Sequence, residues 1–413
     1  MTEAAAEGAA AAADRSLLRR ALLAAAASRL FIFLAGFLAA ALIGVQQVNW
    51  GRRFPERAEV FHGLLAALFN PWAHWDGAWY IKIAAHGYGD ADGTAAFFPL
   101  YPLLLRAVGT LFGGNLVLAG IVLSLACYAG VVIVLYRLVA RDFGDSIASR
   151  TTLYLSIFPT AFFFQAVYSE ALFLLLVLLC FLWAREGRWW LAGLAGLLTA
   201  LTRSTGVLVL VPLAIMYLQA PAERRRPADA VALLLVPEGL LAWMACVGLT
   251  FGRPLLFLSS QGQWHRDLAT PNYTLWQGVR SALQGVRQLA SGQTARRYWP
   301  VEGSGSPIDL AVVNITALLF TAAAGALLWL GARRLPLAYT VWGLLAVGVP
   351  LLAPNPYQPL YSMPRFVLPA FPIFIALALL TERRPRAHAM VCVVESLLLA
   401  ALTVKFAVFG WVA

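Results

Sequence analysis

Long apolar runs punctuated by short arginine clusters constrain this chain more than anything else in it. The runs Ala21 to Val45, Leu116 to Val139, Thr151 to Trp183 and Trp189 to Leu218 each reach the roughly 20 residues that a helix needs to cross a bilayer. Between them sit Arg15, Arg19 and Arg20, then Arg137, Arg141 and Arg150, then Arg185 and Arg188, then Arg224 to Arg226. Lys and Arg are held on the cytoplasmic side of membrane proteins. Only 12% of the residues are charged and 61% are hydrophobic, against about 25% charged in soluble domains. The pattern is that of an all-α polytopic membrane protein. The net charge of +11 lies in these clusters, so it reads as topology and not as a nucleic-acid surface.

The clusters set the parity. Thr151 to Trp183 is too long for one crossing at 1.5 Å per residue, has arginine at both ends, and is interrupted at Gln165 and Tyr168-Ser169-Glu170. It reads as a hairpin whose turn reaches the exoplasmic face. Trp189 to Leu218 reads the same way, with Thr202-Arg203-Ser204-Thr205-Gly206 at its turn. Further spans are expected near Ala230 to Phe251, Leu310 to Leu330, Leu337 to Leu352, Arg365 to Leu380 and His388 to Trp411, about eleven in all. Residues 1–14 read as a disordered cytoplasmic tail and 15–413 as one transmembrane domain, with exoplasmic loops at about 46–114 and 252–308. The short segment Phe97 to Phe112, which contains Pro99, Pro102 and Arg106, reads as interfacial or re-entrant. The four cysteines lie inside apolar runs and read as small buried hydrophobes.

The densest chemistry lies in His74-Trp75-Asp76-Gly77-Ala78-Trp79-Tyr80, continuing to His86-Gly87-Tyr88. Taken alone, Asp76 is a good helix N-cap and Gly87 a good C-cap, and the tryptophans fit an aromatic belt. The alternative reading is catalytic. Asp can take a proton from an acceptor hydroxyl, and a sugar phosphate already carries its leaving group. One carboxylate then suffices for an inverting displacement, unlike glycoside hydrolysis, where two share the work. Phe97-Phe98-Pro99-Leu100-Tyr101-Pro102 and Tyr168-Ser169-Glu170 lie on the same side by parity, and Glu170 there can also act as a first-turn acid. Arg203 and Arg365, on the face that should be poor in arginine, suit a clamp on a lipid phosphate.

At these residues the chain resembles the PIG-V-type family, the GPI mannosyltransferase II enzymes and their bacterial relatives, within the GT-C superfold. The matching stretches are Trp75-Asp76, Ile83-Ala84, His86-Gly87-Tyr88, Ala96-Phe97-Phe98-Pro99 with Pro102, Tyr168-Ser169-Glu170-Ala171-Leu172-Phe173, and Arg203-Ser204-x-Gly206. The second half matches only by topology and Pro364-Arg365-Phe366. The resemblance implies a GT-C fold with a large first exoplasmic loop carrying the acidic motif. It also implies a polyprenyl- or dolichyl-phosphate mannose donor, a glycolipid or glycan acceptor, and no nucleotide-sugar site. Thr205 stands where the eukaryotic pattern has Asn, and the Ala, Leu and Arg content is bacterial in character, which leaves the acceptor open.

The combined expectation is an exoplasmic mannosyltransferase of a bacterial plasma membrane, or of the endoplasmic reticulum in a eukaryote. Asp76 is the base and Arg365 and Arg203 hold the donor phosphate. His74, Trp75, Tyr80, His86, Tyr101, Tyr168 and Glu170 shape the substrate pocket. No metal ligand set is expected, though a divalent cation bridging Asp76 or Glu170 to the phosphate is compatible with the residues. Transfer of another sugar, a transporter or flippase, and a non-catalytic scaffold are the alternatives. A transporter would place ionisable residues at mid-span and often repeats internally, whereas the polar clusters here gather at one face.

Overall fold

The computed structural model describes residues 3–45, 60–90, 92–298 and 306–412, which form helices and turns with no strand. Helix α1 (Glu3–Leu42) already begins at Glu3. It thus runs through the Ala-rich segment expected to be a disordered tail, in keeping with the high helix propensity of alanine. The first loop, of which 46–59 and 91 lie outside the described residues, holds α2 (Gly63–Phe69), α3 (Asp76–His86) and α4 (Leu100–Leu111). α4 buries Tyr101, Leu105 and Gly109 and exposes Leu103 and Leu111, the two-sided character of an interfacial helix. α5 (Leu116–Phe143) is N-capped by Asn115, whose side chain accepts the Leu118 N–H.

Where the first hairpin is expected, α6 (Asp145–Ile157) and α7 (Glu170–Arg185) flank the turn and pack against α5 rather than against each other. Its break is longer than the sequence suggests and runs from Phe158 to Ser169. Irregular backbone at this depth must find its partners inside the protein, and it does. Arg29 of α1 donates to the carbonyls of Ala161 (2.5 Å) and Ser156 (2.8 Å). Ser124 of α5 donates to Ala166 O (2.7 Å), and the Val167 N–H donates to Trp72 O (2.8 Å). The second hairpin pairs α8 (Trp189–Thr202) with α9 (Leu210–Gln219) through a 3-10 turn at Ser204–Val209. Gly206 makes this turn possible, because a Cβ there would run into the backbone of Thr199 and Ala200.

α10 (Pro227–Ala232) and α11 (Leu235–Phe251) lead into the second loop, with α12 (Leu256–Ser259), a 3-10 turn at Ser260–Trp264, and α13 (Pro271–Ser291). Residues 299–305 lie outside the described residues. α14 (Pro307–Gly331), α15 (Leu337–Gly348), α16 (Met363–Phe366), α17 (Pro372–Thr381) and α18 (Pro385–Ala407) complete the chain. The span expected from Arg365 to Leu380 is broken, since Pro369 and Pro372 supply no backbone N–H. The indole of Trp342 donates to the stranded Pro369 carbonyl (2.9 Å).

Among the described residues five helical stretches are long and apolar enough to cross a membrane: Ser16–Leu42, Leu116–Phe143, Pro227–Phe251, Pro307–Gly331 and Pro385–Ala407. This makes the chain an integral membrane protein. The other expected spans, α6, α7, α8, α9, α15 and α17, are 10 to 16 residues long, short of the roughly 20 that a crossing takes. Five of the expected eleven spans are thus continuous helices long enough to cross on their own, and the short helices end in the breaks just described.

Candidate active site

Four charged side chains distant in sequence meet where helices begin or break. Asp76 opens α3, Glu170 opens α7, Arg203 lies between α8 and its 3-10 turn, and Arg365 lies in α16. Arg365 Nη1 is 2.5 Å from Asp76 Oδ2 and its Nε is 3.5 Å from Glu170 Oε1, which Arg203 Nη1 also reaches at 2.7 Å. The carboxylates sit at helix N-termini, where the backbone dipoles favour negative charge. Burial alone would lower the Arg365 guanidinium, yet Asp76 and Glu170 outweigh it and hold it above the ordinary arginine value.

The capping reading of Asp76 fails on geometry. The N-cap of α3 is Trp75, with φ 58°, and no side chain caps the helix. Trp75 thus holds a backbone conformation that non-glycine residues rarely adopt. Its ring is fixed against Phe409 (4.6 Å) and Trp411 (4.8 Å). The Asp76 N–H is taken by the Tyr168 hydroxyl (3.1 Å), which donates to His74 O (3.1 Å). Burial, with Asp76 nearby, pushes the Tyr168 phenol well above its usual range, so it keeps the proton it donates. Burial pulls His74 down to about 4, against its contact with Phe406 O, so its ring is neutral near pH 7.

Asp76, Tyr80, Arg203 and Arg365 line a cavity of about 350 Å³. Its polar end continues with Arg266 and Tyr361, and its apolar wall is built by Leu208, Trp342, Leu345, Val349 and Leu352. Phe97 and Phe98 also line it, and the Phe97 ring stacks on Trp79 at 5.7 Å.

The remaining expected pocket residues are not among those that line the cavity. Glu170 is 2% exposed and sits behind the lining, where it holds two arginines. Tyr101 is buried with its hydroxyl on Ser124 (3.1 Å). His74, Trp75 and Tyr168 form the support under Asp76, and His86 lies at the exposed end of α3. Two carboxylates meet here, but arginines already bind both. Among the described residues no three His, Cys, Asp or Glu side chains come together to hold a metal ion.

The sequence reading missed Arg266, Tyr361 and Trp264, all of which line the cavity. The signal for Arg266 was the one used for Arg203 and Arg365, a cation on the arginine-poor face. It was masked by Arg253, Arg280, Arg287, Arg296 and Arg297 in the same loop.

A relative, GPI mannosyltransferase 2 of Drosophila pseudoobscura pseudoobscura, is 32% identical over 110 residues, covering 24% of this chain and 24% of that protein. The chain thus spans about a quarter of that relative's length. Among solved structures, the Archaeoglobus fulgidus oligosaccharyltransferase in the apo form covers 94% of this chain and 56% of its own, at 13% identity and TM-score 0.47. The same protein in complex with an inhibitory peptide and a dolichol-phosphate aligns at TM-score 0.40 and 12% identity, over 91% of this chain and 55% of its own. The sequence model of the family described as Mannosyltransferase (PIG-V) matches residues 29–228. Over that stretch, which holds Asp76, Glu170 and Arg203, the chain is similar to the PIG-V mannosyltransferase family.

Proposed function

We propose that this protein is an inverting mannosyltransferase that uses a polyprenyl- or dolichyl-phosphate mannose donor and a glycolipid or glycan acceptor at the exoplasmic face, with Asp76 as general base. One observation carries the reading: a single carboxylate lines a cavity that is cationic at one end and apolar along its wall. A lipid-linked sugar phosphate has those same two ends. Arg365 takes Asp76 Oδ2, which orients the carboxylate so that Oδ1 can receive the acceptor proton. The acceptor oxygen then attacks the anomeric carbon from the face opposite the phosphate. The anomeric C–O bond breaks and its electron pair leaves with the phosphate oxygen. Glu170 lies behind the lining, so no second carboxylate stands ready to form a glycosyl-enzyme intermediate. Tyr80, Trp264 and Phe97 supply ring faces for the sugar.

The test is mannose transfer by purified protein from a short-chain polyprenyl-phosphate mannose to a panel of glycolipid acceptors. Transfer by the wild type should fall by about 10²–10⁴-fold in Asp76→Asn, the range of general-base catalysis. Wild-type rates in Asp76→Asn would remove the base assignment. Activity with arabinosyl or glucosyl donors alone would move the reading to another sugar.

A further inference from the structure

Three guanidinium groups surround one aromatic ring in the cavity. Arg203, Arg266 and Arg365 lie 5.5, 5.5 and 5.2 Å from the Phe366 centroid. Two of them are already committed: Arg203 to Glu170, and Arg365 to Asp76 and Glu170. Arg266 has no carboxylate partner among the described residues. Its only hydrogen bond there is from Nε to Ala353 O (2.9 Å), which leaves the terminal nitrogens of its fork unbonded. Two acidic and three basic side chains leave the site with one uncompensated positive charge, and that charge is on Arg266.

The placement of Arg266 is built. It follows His265, whose φ of 51° turns the chain. Its loop is pinned to the segment before α16 at three points. Asn355 Nδ2 donates to Trp264 O (2.8 Å), Arg266 Nε to Ala353 O, and the Ala269 N–H to Leu352 O (2.9 Å). The guanidinium also lies 5.8 Å from the Tyr361 ring. Burial, together with repulsion from Arg365 and Arg203, lowers it to about 10 against the opposing pull of Tyr361. An anion bound beside it would relieve that repulsion.

We infer that Arg266 is the residue that binds the phosphate of the lipid-linked donor and of the lipid phosphate released, while Arg203 and Arg365 serve to hold the carboxylates. The inference rests on the proposed transferase reading. The chemistry explains why an unpaired cation is needed. As the anomeric C–O bond breaks, the donor phosphodiester becomes a monoester, and its charge grows from about −1 toward −2. A fork free to pair with the new charge gains most in the transition state.

The experiment measures binding of farnesyl phosphate, farnesol and inorganic phosphate to the purified full-length protein, alongside donor kinetics. The variants are Arg266→Gln, Arg266→Lys and, as a control on an exposed neighbour, Asp267→Asn. Farnesyl phosphate should bind Arg266→Gln at least about tenfold more weakly than wild type, with Lys in between, since Lys keeps the charge without the fork. Farnesol binding should not change, nor should any property of Asp267→Asn. The donor KM should rise in Arg266→Gln with a concurrent fall in kcat. Should Arg266→Gln not fold, the Lys variant decides the same question by its weaker binding. Equal affinity of farnesyl phosphate for wild type and variants overturns the inference, whether or not transfer is seen. Arg266-dependent binding without any transfer leaves the inference standing and overturns the transferase reading. Inorganic phosphate binding as tightly as farnesyl phosphate would assign Arg266 to free phosphate and overturn the lipid-linked source.

Discussion

At the scale of single residues, the site is an alternating chain of charges in which each group depends on its neighbours. Glu170 is the residue most exposed to this dependence, because it is buried and neutralises two arginines. Glu170→Gln would leave buried positive charge unpaired, which typically costs about 3–5 kcal/mol. Thermal unfolding in detergent should show a lower Tm, and transfer should fall even though Glu170 never reaches the cavity. His74 makes a pH-dependent contribution. Its folded pKa of about 4 lies below the unfolded value near 6.5, so the unfolded chain binds more protons between the two. Stability is therefore full above about pH 6.5 and is lost as pH falls toward 4, by on the order of 3 kcal/mol. His74→Asn should flatten the fall in Tm between pH 7 and pH 4.5. An unchanged slope would show that His74 is not the group responsible.

At the scale of elements, the candidate site lies where helices begin or break. The hairpin turns at Tyr168-Ser169-Glu170 and Arg203 were legible because polar residues interrupt apolar runs that carry arginine at both ends. The depth of the first break was not legible. Phe158 to Ser169 reads as apolar, and its irregular path depends on Arg29, Ser124 and Trp72, partners scattered through the sequence. The site was half legible for the same reason. Asp76, Arg203 and Arg365 stood out by type and side of the membrane. Three-dimensional packing puts Tyr80 in the lining and leaves Glu170 and Tyr168 outside it, and no local pattern encodes that. The broken span at Pro369 and Pro372 was written plainly in the prolines and overridden by hydropathy. Gly206→Ala tests the second turn. A Cβ meeting the Thr199 backbone should displace Arg203 and cost about 1–3 kcal/mol, as overpacking does. A Tm equal to wild type would show that the turn yields without strain.

At the scale of the whole molecule, the proposal requires that one face of the bundle carry all the chemistry. Single cysteines replacing Arg253 and Arg334, in a background without the native cysteines, should report opposite sides of the membrane. A membrane-impermeant thiol reagent applied to intact cells should label position 253 and spare position 334 until the membrane is opened. The reverse pattern would place the cavity in the cytoplasm and end the exoplasmic reading. The family match ends at residue 228, yet the cavity needs Arg266, Tyr361 and Arg365 from beyond it. In the proposed mechanism the matched stretch would thus supply the base and its support, and the remainder the cation for the phosphate.

The charge chain links positions 76, 170, 203 and 365 in the spatial order Asp76, Arg365, Glu170, Arg203, and this bears on when the site is complete during synthesis. A nascent chain that has delivered Asp76, Glu170 and Arg203 to the membrane still lacks the residue that joins the base to the rest. Until α16 emerges from the ribosome, Asp76 has no arginine to orient it, and the wall of the cavity is unfinished. On the proposed mechanism, transfer would begin only once α16 and the helices after it are in place, so partly made chains would not consume the donor.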